Sequence, residues 1–130
     1  MNLIKNILVV FSLLLLLACS KQNQNTTTDE PTAVVLAQKK AEILNYINSF
    51  PCSAAVGCSS IAFGDKPCGG PWEYLVFSNA VNLTQLQQMV ASYNDLNKLY
   101  NQTSGAASDC MFVSPPSNVG CVNGQCGVIN

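Results

Sequence analysis

Two groups of side chains in this sequence could do chemistry: seven cysteines, at positions 19, 52, 58, 68, 110, 121 and 126, and three carboxylates near them in the chain, Asp65, Glu73 and Asp109. Cysteines can ligate a metal, attack an electrophile or pair as disulfides. Structural zinc favours close Cys-x-x-Cys pairs or histidine partners. Here the last six cysteines are separated by five, nine, 41, ten and four residues, and histidine is absent, so no metal site is expected. A nucleophilic thiol needs a helix N-terminus, a histidine or a cation to lower its pKa, and Lys66 is the only candidate beside Cys68. The carboxylates could act as an acid–base pair only at a fixed separation, which nothing in the sequence sets. The missing histidines also remove the commonest general base near neutral pH. Solvated or capping roles are expected for all three carboxylates. Asp109, beside Ser108 and before a cysteine, reads as a turn residue bonding local amides. No catalytic residue and no cofactor are assigned.

The segment FGDKPCGGPWEYLVFSN, residues 63–79, poses a sharper question. As a phosphate loop it fails, because Gly69-Gly70 precedes a strand, lacks a Gly-Lys-Ser/Thr sequence and has no helix behind it. As a protease-inhibitor loop it would offer Lys66 at the cleaved bond, but Pro67 follows, and trypsin-type enzymes cleave poorly before proline. The aromatic residues Phe63, Trp72, Tyr74 and Phe77 read as core, with Trp72 partly exposed at the start of a strand. The segment is thus expected to be a hinge between strands. Lys66, Gly69, Gly70 and Trp72 form the candidate partner surface.

The totals narrow the class. One small domain fits 130 residues that are 48% apolar and 10% charged. Six lysines, no arginine and a formal charge of −1 lack the basic footprint of a nucleic-acid binder. The amino-terminal segment carries Lys5 and then an 11-residue run, residues 7–17, apolar except for Ser12. A membrane-spanning helix needs about 20 apolar residues, so this run reads as the core of a signal peptide.

Its exit, Leu16-Leu17-Ala18-Cys19, resembles the lipobox of bacterial lipoproteins, with a small residue before the cysteine and an aliphatic residue three before it. The resemblance implies that residues 1–18 are removed, that the Cys19 thiol is diacylglycerylated and that the new amino terminus is acylated, by chains such as palmitate. At ~0.8 kcal/mol per buried methylene, two or three chains anchor a protein durably. Ser20 and Lys21 follow, with no aspartate directly after the cysteine. In enterobacteria-like sorting that implies the outer membrane. Beyond the anchor, residues 52–126 resemble small cysteine-rich domains of uncharacterised exported bacterial proteins, a likeness that implies no activity.

An exported chain with six remaining cysteines is expected to form three disulfides, for which 15 pairings exist. In CVNGQC, Asn123-Gly124 suits the two central positions of a type I′ hairpin, where both residues need positive φ. Cys121 then faces Cys126 at a non-hydrogen-bonded site, about 4.5 Å between Cα atoms, within disulfide range. The expected pairs are therefore Cys121–Cys126, Cys52–Cys58 by proximity, and Cys68–Cys110 by remainder.

The elements that must position these residues follow from periodicity. Residues 19–31 comprise the lipidated cysteine and a polar tether, and residues 32–130 the single domain. Residues 32–51 place Ala33, Leu36, Ala37, Ile43, Leu44, Ile47 and Phe50 on one helical face. Lys40 falls inside that face and must snorkel. Strands are expected at 59–64 and 72–78, the second central and covered on both faces. Asn82 and Gln85 form a capping-box pattern ahead of a second helix stopped by Gly105. Its buried stripe is Leu83, Leu86, Met89, Val90, Tyr93, Leu96 and Tyr100. Three strands follow, around 110–114, 119–122 and 125–129, with Pro115-Pro116 turning between the first two. The expected fold is a disulfide-braced α+β domain: two helices on an antiparallel sheet of three to five short strands.

The expected function is a non-enzymatic binding or inhibitor-like module, anchored by lipid in the bacterial envelope and facing an unidentified protein or glycan. The alternatives are a structural accessory of the envelope and a small hydrolase using Asp65, Glu73 or Asp109. Intact mass of the natural protein, before and after reduction, tests the address. A chain beginning at Cys19 with two or three acyl chains, gaining six protons on reduction, is the expected result; free thiols before reduction would contradict it.

Overall fold

The structure is a computed structural model, and it describes residues 31–129. Cys19 and the expected signal peptide lie outside the described residues. Helix α1 (Ala33–Asn48) begins at Thr32, whose Oγ1 accepts a hydrogen bond from the Val35 N–H at 3.2 Å, satisfying one of the unpaired amides of a first turn. Leu36, Ile43 and Ile47 are buried, whereas Ala33 and Ala37 are exposed, so the apolar stripe is narrower than expected. Lys40 does snorkel. Its ammonium passes 5.7 Å from the centroid of the Phe63 ring to pair with Glu73, both partners half-exposed.

Strands β1 (Cys58–Phe63) and β2 (Glu73–Ser78) form an antiparallel hairpin in the register Phe63↔Glu73, Ile61↔Leu75, Ser59↔Phe77. Because side chains alternate along a strand, these pairs share one face. That face meets the helices in a core of Ile43, Ile47, Phe63, Leu75, Phe77, Val81, Leu86 and Val90. Helix α2 (Leu83–Ser104) starts at Asn82, whose Oδ1 accepts from the Gln85 N–H at 3.1 Å, and ends at Gly105. Gln85 uses its own side chain on the Tyr46 hydroxyl, 3.3 Å away. Leu83, expected in the stripe, is half-exposed.

Strands β3 (Val119–Val122) and β4 (Gln125–Val128) make the second hairpin, paired Val122↔Gln125 and Cys121↔Cys126 as the Asn-Gly turn predicts. Asn123 and Gly124 have φ of 52° and 80°, the left-handed pair that a type I′ turn requires. The fold is therefore a small disulfide-braced α+β domain, with two helices and four strands among the described residues. Those strands divide into two sheets of two strands each, not one sheet, so β2 is not a central strand.

The disulfides correct two of the three expected pairs and keep Cys68–Cys110. Cys52 joins Cys121 and Cys58 joins Cys126, with Cα separations of 5.7 and 5.8 Å; Cys68 joins Cys110 at 5.2 Å. The cross-strand site at Cys121 and Cys126 is present, but both thiols reach outward from it. Cys58 lies on the face of β1 away from the helices, so its bridge fastens the second hairpin over that face. The Cys52 N–H, donating to the Gly124 carbonyl at 3.0 Å, holds the hairpin tip beside the end of α1. The local pairings Cys52–Cys58 and Cys121–Cys126 would leave this second hairpin unattached.

With eight residues in the core cluster, the domain is of the size that needs staples. Bridges with sequence separations of 69, 68 and 42 residues would each contribute about 4 kcal/mol on the chain-entropy model, less in sum because their loops overlap. Cleavage of the oxidised protein with cyanogen bromide at Met89 and Met111, with elastase between Cys52 and Cys58, and with hydroxylamine at Asn123–Gly124 should release peptides joined as 52–121 and 58–126. Peptides joined as 52–58 or 121–126 would refute this connectivity.

Candidate functional site

The chain between β1 and β2, residues 64–72, is shaped first by its backbone. Gly64 has φ of 82°, and a Cβ there would come 2.6 Å from Trp72 Cδ1, so only glycine lets the tryptophan lie against the chain. The Trp72 N–H donates to the Phe63 carbonyl at 3.0 Å, closing the loop at its base. Further out, the Gly69 N–H donates to the Lys66 carbonyl at 2.8 Å and the Lys66 N–H to the Gly70 carbonyl at 2.9 Å. These bonds form a tight double turn around Pro67 and Cys68.

Helix α2 grips this loop with three asparagines. Asn94 Oδ1 accepts from the Gly64 N–H at 2.8 Å, Asn97 Oδ1 from the Asp65 N–H at 2.9 Å, and Asn101 Nδ2 donates to the Asp65 carbonyl at 2.5 Å. Spaced three and four residues apart, they share one helical face. Asn97 and Asn101 are buried, which is tolerated because both are hydrogen-bonded. They satisfy backbone groups that no strand reaches, the accounting that a buried loop requires.

Lys66 then joins two loops. It is 4% exposed, so its placement on a partner surface is corrected: the side chain points inward. Its Nζ donates to Asp109 Oδ1 at 3.0 Å and to the Met111 carbonyl at 2.9 Å, and lies 5.3 Å from the centroid of the Trp72 ring. An ammonium leaves water only with such partners. The Lys66 hydrogen bond, followed by one from the Met111 N–H, holds the Asp109 carboxyl below its ordinary pKa.

The consequence lies in the segment after α2. Residues 106–116 form no helix or strand, so the strand expected at 110–114 is absent. Two prolines without N–H groups follow it, and the backbone of Met111 is occupied by Lys66 and Asp109, not by a ladder. Cys110, tied to Cys68, has φ of 52°, a conformation costly for a residue with a Cβ that persists only where its surroundings fix it. Beyond this turn Met111 and Phe112 are 68% and 84% exposed. They follow Cys110, whose bridge to Cys68 ties this turn to the loop that carries Gly69 and Gly70, both exposed, and Trp72, 40% exposed. The structure thus ties the loop that carries three of the four surface residues expected from sequence to a loop with two exposed apolar residues that sequence reasoning assigned to a strand. The run Cys-Met-Phe-Val-Ser-Pro-Pro carried the missed signal, an apolar pair between a bridged cysteine and two prolines.

Other places offer less chemistry. A groove of about 470 Å³ lies over Ile61, Phe77 and Val81, rimmed by Ser59, Asn79 and Gln87, with no titratable side chain among its lining. Glu73 pairs with Lys40 and Asp109 with Lys66, so two of the three carboxylates have cationic partners. The Sγ atoms of Cys52, Cys58 and Cys126 lie within 4.8 Å of one another, but they belong to two adjacent disulfides, and a metal needs thiolates. Comparison with family models, curated proteins and solved structures found no match.

Replacing Lys66 with Ala should lower stability by about 2 kcal/mol, the range for hydrogen bonds to a charged group, as measured by chemical denaturation. The pH dependence has a definite sign. Because the Asp109 pKa is depressed in the folded state, its pairing stabilises above the ordinary carboxylate value of about 3.9 and is lost as pH falls through the folded value. The Tm advantage of the native protein over Asp109→Asn should shrink toward zero at acidic pH; an advantage independent of pH would contradict this.

Proposed function

We propose that this chain is a lipid-anchored protein of the bacterial envelope whose domain works as a binding module, presenting Met111 and Phe112 with Trp72 to a protein partner. The observation that carries the reading is the exposure of Met111 and Phe112 on a loop held by a disulfide and by the ammonium of buried Lys66. Large apolar side chains held out by a rigid frame gain by burial against a partner, and an aromatic anchor of this kind is the usual centre of binding energy. The frame lowers the ordering cost of association. A protein fits better than a glycan, since Met111 and Phe112 bring no side-chain hydrogen bonds for sugar hydroxyls. Three disulfides suit the oxidising compartment that the lipobox resemblance implies.

The test is capture from envelope extracts by the oxidised protein, with affinity for the captured protein then measured for native and Phe112→Ala chains. Loss of about 2 kcal/mol or more, the scale of a binding hot spot, is expected from Phe112→Ala. Equal affinity of the two would refute the reading. Deleting residues 22–30 should leave binding in solution unchanged, whereas a protein serving only as a spacer would depend on that length.

A further inference from the structure

Resting on the binding reading, we infer that the loop of residues 110–116 is an inhibitory loop for a serine endopeptidase with an aromatic specificity pocket, and that the Phe112–Val113 bond is the one offered to the enzyme. Endopeptidases of this kind hold the residues next to the scissile bond in extended form, and Cys110, left-handed at φ 52°, bounds that stretch two residues before Phe112. The residue immediately before that bond enters a pocket that, in the chymotrypsin type, is a hydrophobic slot. Phe112, 84% exposed and without a contact partner in the core, has the side chain that slot takes. Val113, on the other side of the bond, is half-buried.

The backbone supplies the independent argument. In extended chain the polar groups of successive residues alternate in direction. Met111 has both of its groups turned to the domain, its N–H to Asp109 Oδ1 at 3.2 Å and its carbonyl to Lys66 Nζ at 2.9 Å. Phe112 makes no backbone hydrogen bond among the described residues, which leaves its N–H and carbonyl for a strand-like pairing with an enzyme cleft. Lys66, which reads in the sequence as the residue at a cleaved bond, is the strut behind the loop.

The same frame explains why such a bond would inhibit instead of being consumed. Attack by the enzyme's serine Oγ on the Phe112 carbonyl carbon forms the acyl-enzyme and breaks the Phe112–Val113 C–N bond. The serine proton passes through the enzyme's histidine to the Val113 nitrogen. Cys110 stays tied to Cys68, and Cys121, eight residues beyond Val113, to Cys52. The new amine is therefore held near the ester, where it displaces the serine, re-forms the peptide bond and returns the proton along the same route.

Chymotrypsin with a chromogenic phenylalanyl anilide substrate tests this, using the oxidised full chain as titrant and trypsin as the comparison enzyme. Stoichiometric inhibition of chymotrypsin is expected, weakened roughly 100-fold by Phe112→Ala and redirected to trypsin by Phe112→Lys. The Cys68→Ser/Cys110→Ser pair should turn the inhibitor into a substrate cut at Phe112–Val113. Unimpaired chymotrypsin activity, with or without cutting at that bond, would overturn the inference. If chymotrypsin is untouched while Phe112→Ala still abolishes capture of an envelope partner, the binding reading stands and the inhibitory one falls. If Phe112→Ala changes neither, both fall.

Discussion

A buried ammonium cannot stand alone, and the arrangement of this domain around Lys66 follows from that constraint. The charge is removed from water, so it must be returned to a carboxylate, a carbonyl and an aromatic face. Asp109, Met111 and Trp72 meet those needs from two segments about 40 residues apart in sequence. Meeting them together brings the loop after β1 against the loop after α2. The Cys68–Cys110 bridge crosses the same junction, so a covalent and an electrostatic tie locate one interface.

The two junctions of the molecule are built on different physics. At the far end, the Cys52–Cys121 and Cys58–Cys126 bridges fasten the second hairpin over the outer face of the first. They join two hairpins that belong to separate two-stranded sheets, each marginal alone. At the near end, hydrogen bonds from Asn94, Asn97 and Asn101 shape a loop that no sheet supports. What is held in place there is Met111 and Phe112, whose exposure is unfavourable in isolation and consistent with a partner that covers them.

Elements with strong local signals were legible in the sequence. The helix cap at Asn82, the Asn-Gly turn and its register, and the snorkelling of Lys40 all depend on neighbours within a few residues or on one face of a helix. The Cys121–Cys126 expectation misled because hairpin geometry permits that bridge without requiring it, and only the packing of one hairpin on the other decides between partners. Lys66 misled for a related reason. A lysine beside proline and glycine reads as exposed, and its burial depends on Asp109 and Met111, which only the tertiary fold brings near. The roles of Asn94, Asn97 and Asn101 were not legible, since nothing local distinguishes an amide bonded to a distant backbone from one bonded to water.

If the junction around Lys66 fixes the presented loop, that loop must be as ordered as the helices. Backbone ¹⁵N relaxation on the oxidised protein measures this directly. The account predicts order parameters near 0.85 for Cys110, Met111 and Phe112, the value of rigid backbone. Values below about 0.6, typical of flexible chain, would show that Met111 and Phe112 are not held in place, and would contradict it.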